Sequence, residues 1–137
     1  MSSSNHPYKR LFIIDDDVED QEIFMEAVRE VDDSIQCSSV TNGEEALKLF
    51  EQNGTPLPDL IFLDLNMPKL NGKQILREIK NVQKLLPIPV IMYSTSFAPR
   101  DIEEIDKLGA AYHLLKPSRF EDLCKSLEFI LSKNWRS

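Results

Sequence analysis

Four places in the 137-residue chain set reactive side chains directly after short apolar runs. Asp15-Asp16-Asp17 follows Leu11-Phe12-Ile13-Ile14, and Asp64 follows Leu60-Ile61-Phe62-Leu63. Ser94-Thr95-Ser96 follows Val90-Ile91-Met92-Tyr93, and Lys116-Pro117 follows Tyr112-His113-Leu114-Leu115. Carboxylates brought together repel one another unless a proton or a cation neutralises them. A hard divalent ion with oxygen ligands and retained waters meets that need, which points to Mg²⁺, with Mn²⁺ as the alternative. An ammonium such as Lys116 beside a site that already carries a cation makes most sense if an anion also arrives, a phosphoryl group being the common one. Ser94 could donate a hydrogen bond to it, and Thr95 is the alternative if the register is shifted by one. Taken alone, Asp15-Asp16-Asp17 reads equally well as a solvated helix start, because acids favour that end of the helix dipole. The presence of Asp64 and Lys116 at matching positions favours a site.

These residues meet only if the apolar runs are neighbouring strands. The runs are short, rich in branched and aromatic types and apolar on both faces, as in buried strands of a parallel sheet. Ile35-Gln36-Cys37-Ser38-Ser39-Val40 is a more polar fifth run that suits an edge. Between the runs, apolar residues recur at helical spacing: Phe24, Ala27 and Val28; Ala46, Leu47 and Phe50; Ile75, Leu76 and Ile79; Ile102, Ile105 and Leu108; Leu123, Leu127, Ile130 and Leu131. Each set makes one apolar stripe opposed by charge, and Ile23 is expected to join the first. Asn71 and Ser118 are expected N-caps, and Gly54 and Gly109 expected helix stops. Strict alternation with right-handed crossovers predicts an α/β fold, a doubly wound five-stranded parallel sheet of order 2-1-3-4-5 with five helices. In such sheets ligands bind outside the carboxyl ends of the strands, where the reactive residues stand. One domain is expected over 9–133, flanked by a flexible tail at 1–8, which includes His6, and a short tail at 134–137.

Composition narrows the function. Sixteen basic and 23 acidic residues leave a formal charge of −7, which disfavours grip on nucleic acid or on an anionic membrane. No apolar run approaches the length of a membrane helix, and the polar start lacks the apolar stretch of a secretory signal. Cys37 and Cys124 lack metal-ligand spacing and read as reduced residues of a cytoplasmic protein. The chain lacks the glycine-rich phosphate loop with its lysine, which disfavours nucleotide binding. Asp17, Glu19, Asp20 and Glu22 read as helix surface, and Asp59, at the far end of its strand, as structural.

The combination resembles the receiver domain of two-component response regulators, CheY-like and flavodoxin-like in fold. Asp15-Asp16, Leu63-Asp64-Leu65-Asn66-Met67-Pro68 with Gly72, Ser94, and Lys116-Pro117 carry the likeness, which spans about residues 9 to 133. The resemblance implies that Asp64 is the phosphoacceptor, taking a phosphoryl group from a sensor histidine kinase or a phosphotransfer protein. It implies that Asp16 and Asp64 ligate Mg²⁺ with their side chains and Asn66 with its backbone carbonyl, Asp15 acting mainly through a metal-bound water. Ser94 would be the switch hydroxyl, Lys116 would pair with the phosphoryl group, and the Lys116–Pro117 peptide bond would be cis. Asn66 and Ser96 would tune the lifetime of the phosphoaspartate. The family's aromatic switch position is occupied by His113, so the switch would run through a histidine. Tyr112 lies on the opposite face of the strand. The output would be a surface change of the fourth helix, fifth strand and fifth helix, read by another protein. Only Lys133 to Ser137 follow the last predicted helix, so no output module is expected, and the protein would be a phosphoacceptor rather than an enzyme.

Two other classes use a similar sheet. A haloacid-dehalogenase-type phosphatase also has a strand-end aspartate nucleophile, but it wants an acid two residues on, where this chain has Asn66. A flavodoxin-like electron carrier wants a hydroxyl-rich phosphate loop after the first strand, where this chain has Asp15-Asp16-Asp17.

Overall fold

The computed structural model describes residues 6–52 and 54–136. Five parallel strands, β1 (Arg10–Ile14), β2 (Gln36–Val40), β3 (Leu60–Asp64), β4 (Val90–Ser94) and β5 (Tyr112–Leu115), form one sheet in the order β2-β1-β3-β4-β5. Five helices alternate with them: α1 (Val18–Val31), α2 (Gly43–Glu51), α3 (Gly72–Lys80), α4 (Pro99–Lys107) and α5 (Phe120–Leu131). A short 3-10 turn, Gln83–Leu85, leads into β4.

Successive strand residues face opposite sides of the sheet, so each strand feeds two cores. Phe12, Ile14, Ile61, Leu63, Val90 and Met92 pack with the apolar stripes of α2, α3 and α4. Leu11, Ile13, Leu60, Phe62, Ile91 and Tyr93 pack with α1 and α5. In the second core Phe24 of α1 meets Phe62 edge-on at 4.7 Å between ring centroids, a geometry that adds to simple area burial. The central strands β3 and β4 are buried along their whole length.

The helix starts follow from their caps. Asp17 accepts from the Asp20 amide, Asn42 from Glu45, and Asn71 forms a reciprocal capping box with Gln74. Gly109 takes a φ of +96° directly after the α4 C-cap, a left-handed turn that disfavours side chains with a Cβ.

Several expectations are corrected. Ser118 does not cap α5: the helix starts at Phe120, with Arg119 at the cap position and no side-chain bond. Ile23 does not join the buried stripe and is 45% exposed. β5 lies at the sheet edge where the predicted order puts it, but it is not the buried strand its apolar run suggested: Tyr112, His113 and Leu115 are exposed and Leu114 is half-buried. Two residues assigned to the tails are packed into the fold. Residues 1–5 and Ser137 lie outside the described residues, but Tyr8 is buried and Trp135 packs with it. The Tyr8 hydroxyl donates to the Lys133 carbonyl at 2.8 Å and accepts from the Trp135 amide at 2.9 Å. The indole N–H of Trp135 donates to the Ile130 carbonyl. The two ends of the fold are thus tied to each other, a long-range contact that local sequence pattern does not carry.

His6 extends this junction. Its Nδ1 lies 2.8 Å from Asp32 after α1, and its Nε2 lies 3.0 Å from Glu128 on α5. Burial acts to lower its pKa, but the bonds to the two carboxylates outweigh it and hold the imidazole above its ordinary value. A raised histidine pKa contributes stability that is complete below about pH 6.5 and is lost as pH rises through the folded value. His6→Ala is therefore expected to cost up to about 1 kcal/mol at pH 5.5 and less at pH 8.5, the bound being set by the solvent exposure of the junction. Chemical denaturation of both proteins across that range is the check, and a difference independent of pH would refute it.

Candidate functional site

The carboxyl ends of β1, β3, β4 and β5 bring Asp15, Asp16, Asp64, Ser94 and Lys116 to one edge of the sheet. Ser94 and Asp64 are the last residues of their strands, while Asp15 and Lys116 follow theirs by one. One oxygen from each of Asp15, Asp16 and Asp64 lies within 4.8 Å of the others. Asp15 and Asp64 are buried, while Asp16 is exposed at the mouth.

Each group has its own support. Gln21, buried on α1, donates to the Asp15 carbonyl at 2.6 Å and to the Val40 carbonyl at 2.8 Å, stitching the ends of β1 and β2 together. The Asp17 amide donates to Asp15 Oδ1 at 3.0 Å. The Asn66 amide donates to Asp64 Oδ1 at 3.2 Å, and the Asn66 side-chain amide donates to Ser94 Oγ at 3.0 Å. Ser94 Oγ in turn donates to the Ser96 carbonyl at 3.0 Å. Ser94 is fully buried beside Asn66 and Thr95 is exposed, so the register question resolves to Ser94. Lys116 Nζ donates to Asp15 Oδ2 at 2.7 Å and to Asp20 Oδ2 at 2.8 Å.

The electrostatics follow from burial and crowding. Asp64 is pushed up to about 7, first by burial and then by the Asp15 charge, with Lys116 only partly offsetting them. Burial acts to lower the Lys116 pKa, but the bonds to Asp15 and Asp20 outweigh it and hold the ammonium firmly charged. Three crowded carboxylates facing one lysine leave a negative excess supplied entirely by hard oxygen donors. That donor set fits a small divalent cation and suits neither a soft metal nor a nucleotide.

Most of the expected site residues are brought together. His113 stands apart, on exposed β5 paired with Met92, its ring 5.1 Å from Phe97 and edge-on to it. Tyr112 points to the other face, against Trp135 at 5.0 Å. The Lys116–Pro117 bond is corrected: no cis peptide bond occurs among the described residues. Trans is the lower-energy form even before proline, and here the Lys116 amide closes the strand on the Ser94 carbonyl at 2.7 Å with the bond trans. Asp20 and Gln21 were missed as contributors. Both lie in an acidic first turn that reads as solvated surface, and only folded contacts distinguish them, Asp20 by its bond to Lys116 and Gln21 by its bonds at the ends of β1 and β2. Asp59 is structural as expected, accepting from the Lys9 and Arg10 amides at the opposite end of the sheet. An open cavity of about 440 Å³ lies at the start of α2, lined by Asn42, Lys48 and Lys69 among others, and contains none of the clustered carboxylates.

A doubly wound sheet thus carries an acidic triad, a buried serine and a lysine together at its carboxyl edge. The response regulator receiver domain model matches residues 11–128, and the chain belongs to that family. The response regulator Rcp1 of Synechocystis sp. is 30% identical over 136 residues, covering 96% of this chain and 92% of Rcp1. The crystal structure of the phosphorylated cyanobacterial phytochrome response regulator RcpA superimposes with a TM-score of 0.81 at 31% identity, covering 90% of this chain and 91% of RcpA. The Mn²⁺-bound form of Rcp1 superimposes with a TM-score of 0.74 at 30% identity, covering 89% of this chain and 91% of that one. Members of this family are signalling proteins of two-component systems. They receive phosphate from histidine kinases, bind a divalent metal at an acidic pocket and pass the signal to downstream targets. No helix among the described residues is long and apolar enough to cross a membrane.

Proposed function

We propose that this protein accepts a phosphoryl group on Asp64 from a sensor histidine kinase or a histidine phosphotransfer protein, in a Mg²⁺-dependent reaction in the cytoplasm. The observation that carries the reading is the clustering of buried Asp64 with Asp15 and Asp16, with Lys116 tethered beside them. An Asp64 carboxylate oxygen forms the new P–O bond as the P–N bond of phosphohistidine breaks and its electron pair leaves on the imidazole. The protein's part is alignment and charge neutralisation, which dominate phosphoryl transfer. Asp16, Asp64 and the backbone carbonyl of Asn66 would hold the ion, with Asp15 acting through a water of its shell. The ion supplies neutralisation of the charge on the phosphoryl oxygens. Lys116 pairs with one of those oxygens. Ser94 exchanges its bonds to Asn66 and Ser96 for one to the phosphoryl group.

That exchange frees the β4–α4 segment, which includes Phe97, and His113 turns with it to remodel the surface of α4, β5 and α5. A partner protein reads that surface. The phytochrome named for RcpA makes a photosensory kinase the first donor to try.

Acetyl phosphate with Mg²⁺ is expected to add one phosphoryl group to the wild type and none to Asp64→Asn, read by intact mass. Equal labelling of the two proteins would refute the assignment.

A further inference from the structure

Lys116 enters the site held at two points. Its ammonium is bonded to Asp15 at 2.7 Å and to Asp20 at 2.8 Å, with 9% of its side chain exposed. Asp20 is neither at a strand end nor one of the three clustered carboxylates. It stands in the first turn of α1, where its own amide donates to the capping carboxylate of Asp17 at 3.1 Å. Its backbone is therefore set by the start of the helix.

Charge gives this second contact a consequence. A lysine side chain is flexible and its ammonium is a point charge without the fixed fork of an arginine. Asp64 lies close enough for Lys116 to act on its ionisation, yet among the described residues Lys116 bonds to Asp15 and Asp20 and not to Asp64. Released from one anchor, the ammonium would be drawn toward Asp64, because attraction between opposite charges strengthens where water is scarce. A direct Lys116–Asp64 pair would occupy the oxygen that has to attack. An ammonium has three donors. With two committed to Asp15 and Asp20, the third remains for an oxygen of the incoming group.

We propose that Asp20 is a positioning residue that holds Lys116 against Asp15 and off Asp64, keeping the nucleophile open and the ammonium ready for a phosphoryl oxygen. The inference rests on the phosphoacceptor reading above and deepens it. Asp20 moves no proton and forms no bond to phosphorus. With acetyl phosphate as donor, Asp64 forms the P–O bond while the donor's P–O bond breaks and its electron pair leaves on acetate.

The test compares full-length wild type, Asp20→Asn and Asp20→Glu. Carbon-13 lysine spectra of the metal-free proteins report the Lys116 ε-methylene, and labelling by acetyl phosphate at saturating Mg²⁺ reports the maximal rate. Asp20→Asn is expected to fold, to shift the Lys116 signal and to lower the maximal rate about tenfold, as loss of one preorganised charge contact does. Asp20→Glu restores the carboxylate and should recover most of both. The proposal is overturned if Asp20→Asn labels within about twofold of wild type. It is also overturned if the rate falls while the Lys116 signal stays in place, or if the deficit disappears at saturating Mg²⁺, which would reduce Asp20 to part of the field felt by the cation. If wild type labels and Asp20→Asn labels equally, only this inference fails. If wild type takes no label, the phosphoacceptor reading fails first.

Discussion

Asp64→Asn is expected to stabilise the metal-free protein while removing most of its response to Mg²⁺. Asp64 is held up near 7, by burial first and by Asp15 second, so the folded state binds its proton more tightly than the unfolded chain does. The sign follows from that difference. Stability tied to this group is highest at acidic pH and is lost as pH rises through about 7, where folding must hold an ionised carboxylate beside Asp15. Asparagine keeps the shape and removes the charge. A gain of about 1–2 kcal/mol at pH 8, a few degrees in melting temperature, is the expected size for a site partly open to water. Mg²⁺ acts unequally on the two proteins. On the proposed reading it binds the folded acidic cluster and not the unfolded chain, and so should stabilise wild type by mass action. In Asp64→Asn one of the three carboxylates is gone, and the same Mg²⁺ concentration should give a much smaller increment. Thermal melts of both proteins with chelator and with Mg²⁺ decide the matter. A variant that melts below wild type in chelator, or that responds equally to Mg²⁺, would contradict this account.

Gly72→Ala should be among the most damaging single-methyl changes in the chain. A Cβ at Gly72 would collide with the Asp64 carbonyl oxygen and come within 2.7 Å of Leu65 Cα, both backbone atoms that cannot swing aside. The Gly72 amide also donates to the Leu65 carbonyl at 3.0 Å, so α3 begins in direct contact with the turn that follows Asp64. Relief requires moving either the helix or the β3 end. The expected cost is about 2–4 kcal/mol, as for other enforced overpacking against backbone. Phosphorylation should fall too, since the shift carries Asp64 with it. Gly43→Ala is the internal comparison, because the atoms nearest its added Cβ are all side-chain atoms, Ile75 Cδ1 and Cγ1 in overlap and Leu70 Cδ2 at 3.5 Å, which can repack where backbone cannot. Urea unfolding should show Gly43→Ala to be clearly milder. Equal losses at the two positions would mean that backbone contact is not what Gly72 provides.

The legible parts of this molecule share a physical cause. A parallel strand buried on both faces must be apolar along its length, so β3 and β4 announced themselves and their ends marked the site. A carboxylate directly after such a strand is costly unless it has work to do, and Asp15 and Asp64 stood out for that reason. Surface elements were less legible. The β5 run, with a tyrosine and a histidine beside two leucines, was read as a buried strand like the others, yet it lies at an edge and is mostly exposed. Ser118 has cap chemistry one position too early, and Phe120 starts α5 without a side-chain cap. Tyr8 and Trp135 had no local pattern at all, because their partners lie at the other end of the chain.

The same division runs through the acidic residues of the −7 chain. Strand order alone put Asp15-Asp16-Asp17 and Asp64 at the carboxyl edge of the sheet, and the resemblance to receiver domains singled out Asp15, Asp16 and Asp64 among them. Asp17 and Asp20 sit in one acidic helical turn, and nothing in their spacing tells them apart. Asp17 caps its own helix through the amide three residues on, whereas the fold alone brings Asp20 to Lys116, 96 residues away in sequence. Chemistry that depends on which chain ends and strands are neighbours is written only in the folded contacts.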